Sequence, residues 1–158
     1  MSLEYKFEKY IPGKTIIMDS SSIKLLCSYF KPDARVLEWG SVGSTLFFNT
    51  FAKSWDTIEH DEKSAVKLQN YTKMQEAVHI YHVNHTRNGE NDGAFEEFKA
   101  YINFLRRLNR SYDIVIVDGR ARVPCTLETI RHGLLAPRGV VVFTTGNDKL
   151  IRRSYIGI

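Results

Sequence analysis

Glu38, Glu59 and Asp118 each stand where a short apolar run closes, and glycine follows two of them closely, at Gly40 and Gly119. Carboxylates in such places can accept hydroxyl protons, hold an ammonium group or act as a general base. Around the first acid the chain reads Arg35-Val36-Leu37-Glu38-Trp39-Gly40-Ser41-Val42-Gly43-Ser44-Thr45-Leu46-Phe47-Phe48. That is the form of a strand, a tight turn and a helix N-terminus. A Cβ at Gly40 or Gly43 would block either the turn or a ligand approaching the backbone. The first N–H groups of the following helix point toward such a ligand. Leu46 stands where a dinucleotide fingerprint wants a further glycine, and no P-loop pattern is present. A carboxylate beside the turn suits a cationic group and repels a pyrophosphate.

Glu59 ends a second run, 54–59, at about the 20-residue distance from the glycine turn that a ribose-binding acid keeps in a nucleoside-binding βαβ unit. A solvated position before the next helix is the plain alternative. Asp118 ends the most apolar run, 112–117, which has the character of a buried central parallel strand. Ligands of open α/β sheets bind outside the carboxyl ends of the strands, where strand order reverses. Asp118 is therefore expected deep in the same crevice as Glu38 and Glu59; a simple Asp-Gly turn is the alternative.

The acid followed by glycines at 38, 40 and 43, with Thr45 beyond, resembles motif I of the class I S-adenosylmethionine-dependent methyltransferases. The resemblance runs from Arg35 to about Tyr155, and Leu134-Leu135-Ala136-Pro137-Arg138-Gly139 is similar to that family's turn before strand five. Asp118-Gly119-Arg120-Ala121-Arg122-Val123, followed by Asp148, resembles one subgroup more narrowly. The resemblance implies S-adenosylmethionine as cofactor. Glu38 would help hold its amino group, and the turn of Trp39, Gly40, Ser41, Gly43 and Ser44 would lie beneath ribose and methionine. Glu59 would take the ribose hydroxyls, His60 would lie over the adenine, and Asp118 with Gly119 would border the transferred methyl. The family's core continues with two more strands forming an antiparallel edge, whereas this chain ends at Ile158. A reduced core, a piece of a longer protein and an open edge covered by a partner or a second copy all stay open.

Arg120 and Arg122 follow Asp118 directly, and a guanidinium suits an anionic group on a methyl acceptor. A salt bridge to Glu128 or simple solvation explains them equally well. His85, just past the third strand, is a candidate general base. His79, His82 and His132 have structural roles by default. Asp118, Asn147 and Asp148 are oxygen ligands at neighbouring strand ends and give a minority reading with bound magnesium. They are also ordinary turn residues.

The elements that must position these groups follow from pattern. A helix is expected over 23–30 after the possible caps at 19–22, strands at 35–39, 54–59, 78–83, 112–117 and 140–145, and helices at 44–52, 61–73, 94–109 and 126–135. The Asn- and Gly-rich stretch 86–93 is a loop. Phe95, Phe98, Ile102 and Leu105 form the apolar stripe of the long helix, with Tyr101 and Leu108 beside it, and belong to a core rather than a base-stacking platform. This alternation predicts a single α/β domain over 1–158, with residues 1–30 as an N-terminal segment and helix and 35–158 as the core. Its fold is Rossmann-like and doubly wound, a mostly parallel sheet with helices on both faces.

The chain is 43% hydrophobic and 25% charged, an ordinary globular composition, with a formal charge of +4. That mild bias does not imply nucleic acid. Cys27 and Cys125 are the only cysteines and lack metal-type spacing. No apolar stretch approaches a membrane span. A cytoplasmic location is the default expectation. Methyl transfer to an oxygen of a small molecule or sugar is the expected activity. The alternatives are a catalytically weak nucleoside- or S-adenosylmethionine-binding module acting with a partner, or an RNA methyltransferase.

Overall fold

The computed structural model describes residues 20–40, 43–86, 95–144 and 150–154. Helix α1 spans Ser20–Cys27, strand β1 Arg35–Trp39 and helix α2 Gly43–Phe48, which tightens into a 3-10 turn over Asn49–Phe51. Then come β2 (Ser54–Glu59), α3 (Glu62–Thr72), β3 (Val78–His82), α4 (Lys99–Asn103) with a 3-10 turn over Phe104–Arg107, and β4 (Tyr112–Val117). Helix α5 (Arg122–Arg131) leads to β5 (Leu135–Thr144) and β6 (Leu150–Ser154).

The strands form one sheet in the order β3-β2-β1-β4-β5-β6. The first five are mutually parallel, and β6 runs antiparallel on β5. The chain winds outward from β1 to β3, returns, and continues from β4 on the other side. The order therefore reverses between β1 and β4, which is where a ligand crevice belongs in such a sheet. The expected doubly wound α/β fold is the observed one.

Alternation along β1 assigns the faces. Val36 joins Ile23, Leu26, Phe48, Trp55, Ile114 and Ile116 on one side, whereas Leu37 and Trp39 join Ile58, Phe98, Tyr101, Val115 and Val117 on the other. Burial on both faces is why β1 and β4 read as nearly continuous apolar runs. Phe30 packs between Phe48 and Trp55, with ring centroids 5.5 and 6.0 Å away, and so seats the segment after α1.

Several elements differ from the sequence reading. The helix expected over 94–109 is a turn at 95–98, five helical residues and a 3-10 turn. Its apolar stripe still packs as core. Helix α5 starts four residues earlier than the expected 126, at Arg122, after Ala121 takes a left-handed conformation with φ +50. β5 begins at Leu135, ahead of the expected 140, and the turn 136–139 survives as an irregularity within it: Leu135 pairs with Tyr112, then Val140 with Ile114. β6 was not expected at all. Its antiparallel pairing supplies one strand of the antiparallel edge that the sequence reading held to be missing.

Candidate functional site

The strand ends at the switch point are joined through backbone. The Gly40 N–H donates to Ile58 O at 2.8 Å, and Trp39 O accepts from the N–H groups of Asp118 and Gly119 at 2.9 and 2.6 Å. Gly40 has φ +71, and a Cβ there would lie 2.2 Å from Gly119 Cα. A Cβ on Gly119 would lie 2.5 Å from the Tyr101 hydroxyl. Each glycine is thus required by the other strand's loop. This is a tighter reason than the turn geometry read from sequence.

Glu38 is completely buried on the α2 side of the sheet. Its Oε1 accepts from the Ser44 hydroxyl, and its Oε2 accepts from Thr45 Oγ1, from Trp55 Nε1 at 3.0 Å and from Thr57 Oγ1 at 3.2 Å. These donors come from α2 and β2, so the carboxylate ties the start of the helix to the sheet. The Thr45 hydroxyl also lies 3.2 Å from Thr57 Oγ1.

Glu59 ends β2 almost fully buried, and its Oε1 accepts the N–H groups of His60 and Asp61 at 2.7 and 2.8 Å. Two backbone donors fix the orientation of this carboxylate at the strand end. Asp61 then caps α3 by accepting the Ser64 N–H at 2.8 Å. That backbone hydrogen bond holds its carboxyl below the ordinary 3.8.

On the opposite side of the sheet from Glu38, aromatic rings close the crevice. Tyr101 meets Trp39 edge-on at 5.1 Å, and His60 lies 5.5 Å from both Phe98 and Tyr101. His85 stacks on Phe98 at 5.0 Å and stands 5.5 Å from His60. Two buried polar atoms in this group lack a hydrogen-bond partner, the Tyr101 hydroxyl and His60 Nδ1. The latter stands 3.0 Å from Glu59 Oε1, an ion-pair distance without hydrogen-bond geometry.

Asp118 departs from expectation. Its side chain is 34% exposed and lies at the rim, with Oδ1 3.8 Å from Arg122 Nη2. β4 ends at Val117, and the backbone turns at once toward Gly40, which lifts the next side chain out of the core. Arg122 folds back on this loop, donating from Nε to Gly119 O at 2.9 Å and from Nη2 to Asp118 O at 3.4 Å. Arg120 is exposed. Glu128 gathers Arg106 at 3.7 Å, His132 at 3.1 Å and Arg131.

The structure thus brings Glu38, Trp39, Gly40, Gly43, Ser44, Glu59, His60, Asp118 and Gly119 to the carboxyl ends of β1, β2 and β4, with His85 beside His60 and Arg122 bracing the rim. Ser41, Asn147 and Asp148 lie outside the described residues. Among the described residues, no cluster of three or more His, Cys, Asp or Glu side chains could hold a metal ion. Likewise no described helix is long and apolar enough to cross a membrane. Burial pushes the Cys27 thiol up to about 11 and raises that of Cys125 further, so neither is an activated nucleophile.

Sequence reasoning missed two features. Tyr101 was assigned only to the core, yet its hydroxyl touches the glycine contact. Asp56 was not singled out. It is fully buried toward the amino ends of the strands, accepts the Tyr112 hydroxyl at 2.7 Å, and has His79 Nδ1 at 3.0 Å and Arg110 Nε at 3.5 Å. An acid within a strand beside Trp55 was the only available signal.

No family model matches the sequence, and no curated protein matches it. Solved structures do resemble the fold. A methyltransferase-like protein from Silicibacter pomeroyi superposes with a TM-score of 0.62 at 23% identity, covering 81% of this chain and 72% of its own. An rRNA methylase from Streptococcus thermophilus gives 0.56 at 14% identity, covering 82% and 72%. A putative caffeoyl-CoA O-methyltransferase from Staphylococcus aureus gives 0.58 at 15% identity, covering 90% and 66%. At these identities the likeness is one of fold. The chain has the Rossmann-like architecture that these methyltransferases share.

Proposed function

We propose that this chain binds S-adenosylmethionine over the Gly40–Gly119 contact and transfers its methyl group to an oxygen of a small molecule or sugar. The observation that carries this reading is the backbone contact of Gly40 with Gly119 at the switch point between β1 and β4, at strand ends that also carry Glu38, Glu59 and Asp118. The residues present fit such a cofactor. Gly40 and Gly119 leave a floor without side chains, Glu59 is held at the strand end by two backbone N–H groups, and a buried hydroxyl of the crevice awaits a partner.

When bound, the cofactor supplies a methyl group on a sulfonium, ready for in-line displacement. The turn from Trp39 to Ser44, with Ser41 and Gly43 within it, lies beneath the ribose and methionine in this reading. Glu59 accepts ribose hydroxyl protons, and the His60 ring flanks the adenine. Glu38, held by donors from α2 and β2, would act through its charge on an ammonium bound at the turn. Asp118 at the rim meets an acceptor arriving from solvent and orients or deprotonates its hydroxyl. Arg122 holds the Asp118–Gly119 loop in place, and the guanidinium of the exposed Arg120 would suit an anionic group of the acceptor. His85 is the alternative base. Positioning is expected to be a large share of catalysis.

The test is turnover with the methyl donor and an acceptor panel, with methylated products detected by mass. Asp118→Asn should lower methyl transfer at least about 100-fold, the usual size of a general-base effect, with cofactor affinity unchanged. Intact turnover in that variant would leave positioning alone as the source of catalysis. Magnesium enters this reading only if its addition raises turnover of the parent and not of Asp118→Asn. An RNA acceptor is favoured instead if binding to RNA is tight and falls steeply with salt, and a non-catalytic module if the cofactor binds but no acceptor is methylated. A cytoplasmic location goes with the small-molecule reading.

A further inference from the structure

Tyr101 lies on α4 with no exposed surface, and its hydroxyl is one of two buried polar atoms of the crevice without a hydrogen-bond partner. It lies directly over the glycine contact: only the missing Cβ of Gly119 leaves room for it. Burial, reinforced by the nearby Glu59, Glu38 and Asp118, raises its pKa well above the ordinary 10.0, so the group is a neutral donor. Burying an unpaired hydroxyl costs stability that a phenylalanine at the same place would not cost. A buried tyrosine hydroxyl normally finds a partner.

We infer that Tyr101 is a ligand-binding residue, whose hydroxyl donates a hydrogen bond to a sugar oxygen of the nucleoside held over Gly40 and Gly119. The inference rests on the proposed cofactor. The surrounding carboxylates select against a charged acceptor such as the ligand's own carboxylate, which leaves a neutral oxygen. Glu59, at the end of the neighbouring strand, is placed to accept from sugar hydroxyls, and Tyr101 supplies the complementary donor. The His60 ring lies 5.5 Å from the Tyr101 ring, centroid to centroid, and its side chain is 19% exposed. Its Nδ1 stands 3.0 Å from Glu59 Oε1, so the Tyr101 hydroxyl is the buried polar atom of this place with neither a hydrogen bond nor an ion-pair partner.

The test compares the full chain with Tyr101→Phe, which keeps the shape and removes only the hydroxyl. Two quantities should move in opposite directions. Without ligand the variant should melt at a higher temperature than the parent, because an unpaired buried hydroxyl has gone. Its affinity for S-adenosylhomocysteine by calorimetry should fall about tenfold, the loss of one hydrogen bond. 5′-Methylthioadenosine, which lacks the amino-acid part, should lose affinity by the same factor. Equal affinity of parent and variant for both ligands overturns the inference, as does a lower melting temperature with unchanged affinity, which marks a purely structural tyrosine. A loss confined to S-adenosylhomocysteine also overturns it, by placing the contact outside the sugar. A parent that binds neither ligand contradicts the proposed cofactor instead, so the two failures are distinct.

Discussion

The two ends of the central strands bury polar groups in opposite ways. Toward the amino ends, Asp56 is fully enclosed and has partners around it: the Tyr112 hydroxyl donates to it, and His79 and Arg110 stand at ion-pair distances. At the carboxyl ends, the Tyr101 hydroxyl is buried without a hydrogen-bond partner, two glycines stand where any side chain would collide, and Asp118 reaches solvent. The same strands carry both arrangements. At the amino end a buried carboxylate gathers a hydroxyl donor, His79 and Arg110 and holds the sheet together, whereas a buried hydroxyl without a partner in a place lined by glycine marks where another molecule completes the bonding. Stability and binding should therefore separate along the strand axis.

The largest effect is expected at the amino end. Asp56→Ala leaves Tyr112, His79 and Arg110 without their shared acceptor and should cost about 3–5 kcal/mol in urea unfolding, the range for breaking a buried charged group from its partners. The protein that remains folded should keep its cofactor affinity. Weakened binding at undiminished stability would erase the contrast between the ends. Gly40→Ala should come next, at about 3 kcal/mol, because it adds left-handed strain and overpacking against the Gly119 backbone. Unlike the Asp56 change it should also abolish ligand binding, since the floor of the crevice shifts. Near-parental stability in this variant would show that the β1 and β4 loops separate easily.

At the binding end, Glu59→Ala should weaken S-adenosylhomocysteine by about 1–3 kcal/mol, one or two hydrogen bonds. A 2′-deoxyribose analogue should lose less affinity against this variant than against the parent. Additive losses would show that Glu59 and the ribose do not meet. The smallest effect is at Asp61, whose cap on α3 serves structure alone. Asp61→Ala should cost about 1 kcal/mol at neutral pH. The folded-state pKa is depressed below 3.8, so the parent's advantage is complete above that value and fades as pH falls through the lower folded value. A parent-to-variant difference that does not shrink as the pH is lowered below 3.8 would assign the cap to something other than the ionised carboxylate.

The sequence made the first five strands legible because their apolar residues run continuously or alternate, and the glycines placed the switch point. Burial of Phe98, Tyr101, Ile102 and Leu105 followed from their spacing. What spacing does not encode is whether a buried hydroxyl finds a partner, so Tyr101 read as core and nothing more. Asp118 was expected to be deep because its strand is the most apolar, but a strand's apolar run says nothing of the turn that follows. The backbone contact with Gly40 decides that. β6 was missed because Arg152 and Arg153 interrupt its apolar pattern, and α4 read as too long because an amphipathic stripe continues through turns and 3-10 geometry alike. Glu38 drew attention as a ligand group, yet its local role of tying α2 to β2 depends on Thr57 and Trp55, which only the folded sheet brings near.

The central claim is that the Gly40–Gly119 crevice is a site for S-adenosylmethionine rather than for a dinucleotide. Calorimetric titration of the parent chain with S-adenosylhomocysteine, and in parallel with NAD, tests it most directly. Saturable one-to-one binding of S-adenosylhomocysteine is expected, lost in Gly43→Val, whose side chain takes the ligand's space, with no measurable heat from NAD. Tight binding of NAD with no response to S-adenosylhomocysteine would contradict it.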